Sequence, residues 1–175
     1  MGLSTIDRNT GRIKLQPPQL PKMEENMSKG RRPILLVEDN PMDADLTLES
    51  FKQHNLANPV IVVPDGEEAV NFIDQHLESQ DPQLPLLVLL DLRLPKVDGL
   101  DVLQHARRQE VWKKLPFVVL TTSREDKDIH RAYELGANSY IVKPVNFDAF
   151  AAIAGSIKVY WLLTNENAFP ETLTK

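Results

Sequence analysis

Pro85 to Gly99 reads PLLVLLDLRLPKVDG. Leu86 to Leu90 is an unbroken apolar run that drives straight into Asp91, with Leu92 and Leu94 close behind. Such a run, apolar at every position, is the pattern of a strand covered on both faces of a parallel sheet. A carboxylate at the mouth of a buried strand is expensive unless something uses it.

The same alternation extends outward in both directions. ILLV (34–37), PVIVV (59–63), FVVL (117–120) and SYIV (139–142) are further short apolar runs. Helical spacing follows each strand, over 41–55 (apolar at Met42, Leu46, Leu48 and Phe51), 67–77, 99–109, 126–136 and 146–166. Cap residues support these boundaries. Asn40 precedes a Pro at the first helical position, Asp65 is spaced from Glu68 and Ser123 from Asp126 as in capping boxes, and Asn146 precedes the last helix. Gly136 closes the fourth helix. Five strand–helix units form an α/β, doubly wound, five-stranded parallel sheet, for which 2-1-3-4-5 is one common strand order.

In that order the first and third strands are neighbours at the point where the winding reverses, and ligands bind beyond the carboxyl ends there. The first strand ends in Glu38-Asp39, the third in Asp91, the fourth in Thr121-Thr122 and the fifth in Lys143-Pro144. Three carboxylates so close repel one another. A hard divalent cation such as Mg²⁺, which prefers oxygen ligands, relieves the repulsion. Lys143 adds a positive partner, so the rim suits a phosphate-bearing group, and Asp91 can itself serve as the nucleophile. A simple helix-capping role covers Asp65 and Asp98. It does not cover Asp39, because Asn40 already holds the cap position, nor Asp91, because Leu92-Arg93-Leu94-Pro95 is no helix start.

Composition narrows the class. The 175 residues contain no Cys, which excludes disulfides and thiolate chemistry, and 42% are hydrophobic, enough for a core. Residues 1–33 carry a balance of +4 and residues 34–175 one of −9, so the globular part is acidic and disfavoured as a nucleic-acid surface. Pro17, Pro18, Pro21 and Pro33 interrupt the first stretch. The expected organisation is a flexible N-terminal extension over 1–33, a folded domain over 34–166 and a tail over 167–175. No secretory signal is visible, and no apolar run approaches the roughly 20 residues of a membrane span. A cytoplasmic protein without a membrane role is expected.

LLVEDNPMDADL, LLDLRLPKVDGLDVL, LTTS and ELGANSYIVKP together resemble the receiver domain of two-component response regulators, over residues 34 to about 163. The resemblance implies the flavodoxin-like 2-1-3-4-5 fold and phosphorylation of Asp91 by a partner histidine kinase. It implies Mg²⁺ held by Glu38, Asp39, Asp91 and the backbone carbonyl of Arg93. The switch hydroxyl corresponds to Thr121, thirty residues after Asp91 and twenty-two before Lys143, the family's lysine. Tyr140 corresponds to the switch aromatic. VEDNPMDADL, Arg93 and the Trp161-Leu162-Leu163 end look like the small regulators paired with phytochrome kinases. The chain stops soon after the fifth helix, so a stand-alone receiver is expected, a phosphoacceptor signalling protein rather than an enzyme.

Other features have plainer readings. His54, His76, His105 and His130 lie on helices without metal spacing and are expected to be solvated, as are Arg107-Arg108 and Lys113-Lys114. Phe147, Phe150, Ile153 and Ile157 are expected to face the core. Val159 to Leu163 cover all sides of a helix, which suggests a second buried face. A homodimer through the fourth helix, fifth strand and fifth helix is the expected use. The competing class is an interaction module that signals without phosphate. Intact Glu38, Asp39, Asp91, Thr121 and Lys143 argue against it. A flavin carrier would need a Ser/Thr/Gly-rich phosphate loop where Asn40-Pro41-Met42-Asp43 stands. A hydrolase with its nucleophile on the first strand would need a second Asp two residues on, unlike Glu38-Asp39-Asn40.

Overall fold

The computed structural model describes residues 5–6, 13–14, 31–78, 80–81, 83–166 and 168. Its sheet contains β1 (Ile34–Val37), β2 (Val60–Val63), β3 (Leu87–Leu90), β4 (Phe117–Thr121) and β5 (Ser139–Val142). All pairings are parallel, in the order β2-β1-β3-β4-β5. The helices are α1 (Pro41–Gln53), α2 (Gly66–Gln75), α3 (Gly99–Arg108), α4 (Asp126–Glu134) and α5 (Phe147–Ile157). Within residues 1–33, Thr5–Ile6 pairs antiparallel with Ile13–Lys14. The rest of the expected N-terminal extension up to residue 30, and most of the expected 167–175 tail, lie outside the described residues.

Alternate side chains of the strands feed two apolar layers. Leu35, Val37, Val88, Leu90 and Val119 meet α2, α3 and α4 on one face. Ile34, Leu36, Leu87, Leu89 and Val118 meet α1 and α5 on the other. The three central strands β1, β3 and β4 are buried throughout, as unbroken apolar runs require. The edge strands β2 and β5 are only partly covered.

Four caps act as the sequence predicts. Asn40, Asp65, Asp98 and Asn146 accept from the backbone N–H of Met42, Glu68, Leu100 and Ala149. Gly136 follows α4 at φ 93°, a left-handed conformation that favours glycine. Ser123 departs from expectation. Its hydroxyl donates to Asp128 at 2.6 Å, and Glu125 takes the cap position of α4 without a side-chain bond.

Three more readings change. Met42 is 77% exposed, and α1 buries Ala44, Thr47, Ser50 and Phe51 instead. The hydroxyls of Thr47 and Ser50 donate to the carbonyls of Asp43 and Leu46, so they enter the interior already satisfied. Arg107 is no solvated helix end. Its guanidinium donates to the carbonyls of Trp112, Lys113, Leu115 and Gly136 and to Asn138, and lies 4.6 Å from the Phe117 ring centroid. Burial lowers its pKa to about 10. Of the histidines, His130 alone is exposed. His54 bonds Ala151 O, His76 stacks on Phe72 and bonds its carbonyl, and His105 pairs with Asp74 at 2.7 Å.

The C-terminal helix also differs. After Ile157 it widens into a π-helical turn, Lys158–Thr164, while the Lys158 ammonium donates to the His54 and Asn55 carbonyls beyond α1. A π turn closes its hydrogen bonds at i→i+5 instead of i→i+4, so it carries more residues per turn than an α turn. Trp161 and Leu162 lean on the core, whereas Val159, Tyr160 and Leu163 are exposed. Phe150 and Ile157 are buried as expected and Ile153 is partly covered, but Phe147 is 39% exposed because it opens the helix beside the rim. Taken together, Phe147–Thr164 is long and apolar enough by composition to cross a membrane, which counting unbroken apolar runs did not reveal. Its inner face is seated on the domain, where Phe150, Ala154 and Ile157 are buried.

Gly99 explains the end of the opening motif. A Cβ there would stand 2.1 Å from the Asp91 carbonyl oxygen and 2.7 Å from Leu92 Cα, and its N–H donates to Leu92 O. The chain after Asp91 therefore doubles back onto its own strand end at a distance only glycine allows. Gly99→Ala is expected to destabilise the fold by about 1–3 kcal/mol through enforced backbone displacement. Urea unfolding of the two proteins measures this, and equal midpoints would contradict it.

Candidate functional site

The sheet register sets the rim. Val37 and Leu90 pair across β1 and β3, so Glu38 and Asp91 leave their strands side by side. The Asp91 N–H donates to Val37 O, and the Glu38 N–H to Val63 O, which fixes both backbones at the point of departure. Glu38 and Asp91 are buried, and Asp39 is exposed beside them. Carboxylate oxygens of the three lie within 4.8 Å of one another.

Lys143 reaches this group from the end of β5, where its N–H donates to Thr121 O. Its ammonium donates to Glu38 Oε2 at 2.5 Å, Asp91 Oδ2 at 2.6 Å and Asp43 Oδ2 at 2.9 Å. Burial would lower the lysine pKa, but hydrogen bonds to Asp43, Asp91 and Glu38 outweigh it and hold the ammonium above its ordinary value. Burial pushes the Glu38 carboxyl up to about 7, with Lys143 pulling against it. Asp43 was not among the residues expected from the sequence. It stands in the first turn of α1, and its position after a strand end that already carries two acids was the available signal.

Thr121 is fully buried at the end of β4, whereas Thr122 is exposed. The Ser123 N–H lies 3.4 Å from Thr121 Oγ1. The Arg93 N–H donates to Asp91 Oδ1 at 3.1 Å, so its backbone belongs to the rim. The Arg93 side chain does something the sequence did not suggest. It bonds the buried carboxylate of Asp128 at 2.6 Å, the same oxygen that accepts from Ser123 Oγ. Tyr140 completes the chain of contacts, since its hydroxyl donates to Ser123 O at 3.2 Å. Burial raises the Tyr140 pKa.

The residues fit a hard divalent cation. Glu38, Asp39 and Asp91 converge as oxygen donors, and the four carboxylates including Asp43 outnumber the single ammonium. Mg²⁺ is held in such sites by a few carboxylates and keeps several waters.

A parallel sheet wound in this order, with an acid cluster at its switch point and a lysine reaching in from the last strand, defines a receiver. The chain belongs to the response regulator receiver domain family, whose model matches residues 34–154. Among curated relatives it is 42% identical to a probable methanogenesis regulatory protein, FilR2 of Methanothrix harundinacea, over 78% of this chain and 88% of that one. It is 40% identical to response regulator Rcp1 of Synechocystis, over 75% of this chain and 89% of the relative. The phosphorylated cyanobacterial phytochrome response regulator RcpA superposes with a TM-score of 0.73 at 37% identity, covering 79% of this chain and 99% of its own. The Mn²⁺-bound form of Rcp1 gives 0.70 at 36% identity, covering 77% and 97%. The expected likeness to phytochrome-associated regulators is thus found.

Asp39→Ala is expected to weaken Mg²⁺ binding by roughly tenfold or more, the scale on which metal-site partners act. Calorimetric titration of both proteins with Mg²⁺ measures the ratio. Equal affinities would remove Asp39 from the metal set.

Proposed function

We propose that this protein is a stand-alone receiver that accepts a phosphoryl group on Asp91 from a sensor histidine kinase of the phytochrome type, with Mg²⁺, and answers by changing its α4-β5-α5 surface. The observation that carries the reading is the Lys143 ammonium bonded to Asp91 beside three further carboxylates. The phosphorylated state of RcpA and the Mn²⁺ in Rcp1 support it.

Glu38, Asp39 and Asp91, with the Arg93 carbonyl, are the residues that would hold the ion. When bound, the ion neutralises charge on the transferring phosphoryl oxygens. The chain's own groups do the rest. Asp91, held through Oδ1 by the Arg93 N–H, presents a carboxylate oxygen to the phosphorus of the donor phosphohistidine. An O–P bond forms, the N–P bond breaks, and the imidazole leaves with the electron pair. Lys143 turns a donor from Asp91 to the new phosphoryl oxygens.

Thr121 then swings its hydroxyl toward the phosphoryl group. Ser123 joins that movement to both Tyr140 and Asp128, so β5 and the start of α4 respond together. A local charge event thereby biases a two-state surface. The role is signalling in the cytoplasm, without nucleic-acid or membrane binding by the acidic domain. Acetyl phosphate with Mg²⁺ is expected to add one phosphoryl group to the wild type and none to Asp91→Asn, read by intact mass. Labelling that survives in the variant would sink the assignment.

The same surface is proposed to form a two-fold homodimer. Val159, Tyr160 and Leu163 are each more than half exposed on the last turn, next to an edge strand that is only half covered. Burying a large apolar side chain contributes roughly 1.5–3 kcal/mol. Light scattering is expected to show a dimer for the wild type and a monomer for Tyr160→Glu, a site exposed enough to leave the fold intact. A wild type that stays monomeric with and without phosphate would exclude the dimer.

A further inference from the structure

An ammonium has three N–H donors and no acceptor. In Lys143 all three are matched, by Glu38, Asp91 and Asp43. Two of those acceptors, Glu38 and Asp91, also belong to the carboxylate group able to hold a metal ion, whose third member is Asp39. Asp43 does not belong to it. It comes from α1 rather than from a strand end, and its side chain is 29% exposed while that of Lys143 is 4% exposed.

We infer that Asp43 is the positioning residue for Lys143, the acceptor that keeps the ammonium at the rim when Glu38 and Asp91 turn their oxygens to the metal and the phosphoryl group. The inference rests on the receiver function proposed above. Without Asp43, Lys143 loses the one partner that neither the metal nor the phosphoryl group competes for. Its four-carbon stem then has freedom to leave the line between β5 and Asp91. Lys is a flexible point charge whose donors work only where something holds them. A displacement of about 1 Å in such a group costs on the order of 100-fold in rate.

A bland alternative exists for Asp43. An acid in the first turn of a helix is favourable through the helix dipole alone. That role needs no bond to Lys143 and acts on stability, not on phosphoryl transfer. Two variants of the full chain separate the roles. Asp43→Ala removes the acceptor, and Asp43→Asn removes the charge but keeps an amide oxygen able to accept from the ammonium.

The experiment follows acetyl phosphate labelling at saturating Mg²⁺ over a range of acetyl phosphate concentrations. In parallel, ¹⁵N-detected lysine NMR on the Mg²⁺-saturated proteins reads whether the Lys143 ammonium is held long enough to give a resolved signal. For Asp43→Ala the expected result is a maximal labelling rate lower by roughly 10–100-fold, the range seen when a partner of a site group is removed. KM is not raised, because the lost charge was negative and acetyl phosphate is an anion. The Lys143 signal disappears. Asp43→Asn is expected to recover most of the rate and the signal. An Ala variant with the wild-type rate and signal, changed only in thermal midpoint, overturns the inference, as does an Asn variant as slow as Ala. If the wild type takes up no phosphate, the receiver function itself falls, and the ammonium signal alone then decides whether Asp43 holds Lys143.

Discussion

One cation holds the working end of this molecule together. Glu38 and Asp91 come from adjacent strands, and left alone they would push those strand ends apart in a medium that screens charge poorly. Lys143 is not on a neighbouring strand. It reaches from β5 past the end of β4 to the ends of β3 and β1, and to the first turn of α1. Buried charge is tolerable only when paired and hydrogen-bonded, and here a single ammonium does this for two buried carboxylates. The rim is thus a tie across the sheet as well as a site. Anything that takes over one of the carboxylates must also change what the lysine holds.

The five strands of the main sheet and the helices between them could be read from the sequence because their signals are local. The apolar runs are strand-length, caps stand where α1, α2, α3 and α5 begin, and Gly136 ends α4. The convergence of Glu38, Asp91 and Lys143 followed from topology, since parallel winding brings the carboxyl ends of strands to one side. What could not be read was the pairing of side chains that share neither a strand end nor a helix face. Asp43 and Lys143 are separated by 100 positions, and nothing in either neighbourhood announces the bond. Arg93, given no side-chain partner by the sequence, sends its guanidinium to a carboxylate thirty-five residues away.

Two kinds of polar group depart in the same way from what their residue types suggest. Counting apolar residues on α1 favoured Met42 over Thr47 and Ser50, yet the hydroxyls are buried because their own helix accepts their hydrogen bonds. A cation at a helix end, such as Arg107, is ordinarily solvated. This one is drawn in because carbonyls of two loops, after α3 and after α4, are aimed at it. In both cases the decisive partner is a backbone carbonyl, which every residue carries and which residue types therefore do not encode.

That clasp of Arg107 lies at the pole opposite the rim, where β4 and β5 begin. It joins the carbonyls of Trp112, Lys113 and Leu115, ahead of β4, to that of Gly136, ahead of β5, while Asn138 and Phe117 exchange bonds between the two strand starts. With one end of β4, α4 and β5 pinned in this way, displacement has to grow with distance from the clasp. In the proposed switch the strands would act as cantilevers, anchored at the base and loaded at the tip. A small force applied at the rim would then emerge as tilt along the outer face, while the base keeps its register.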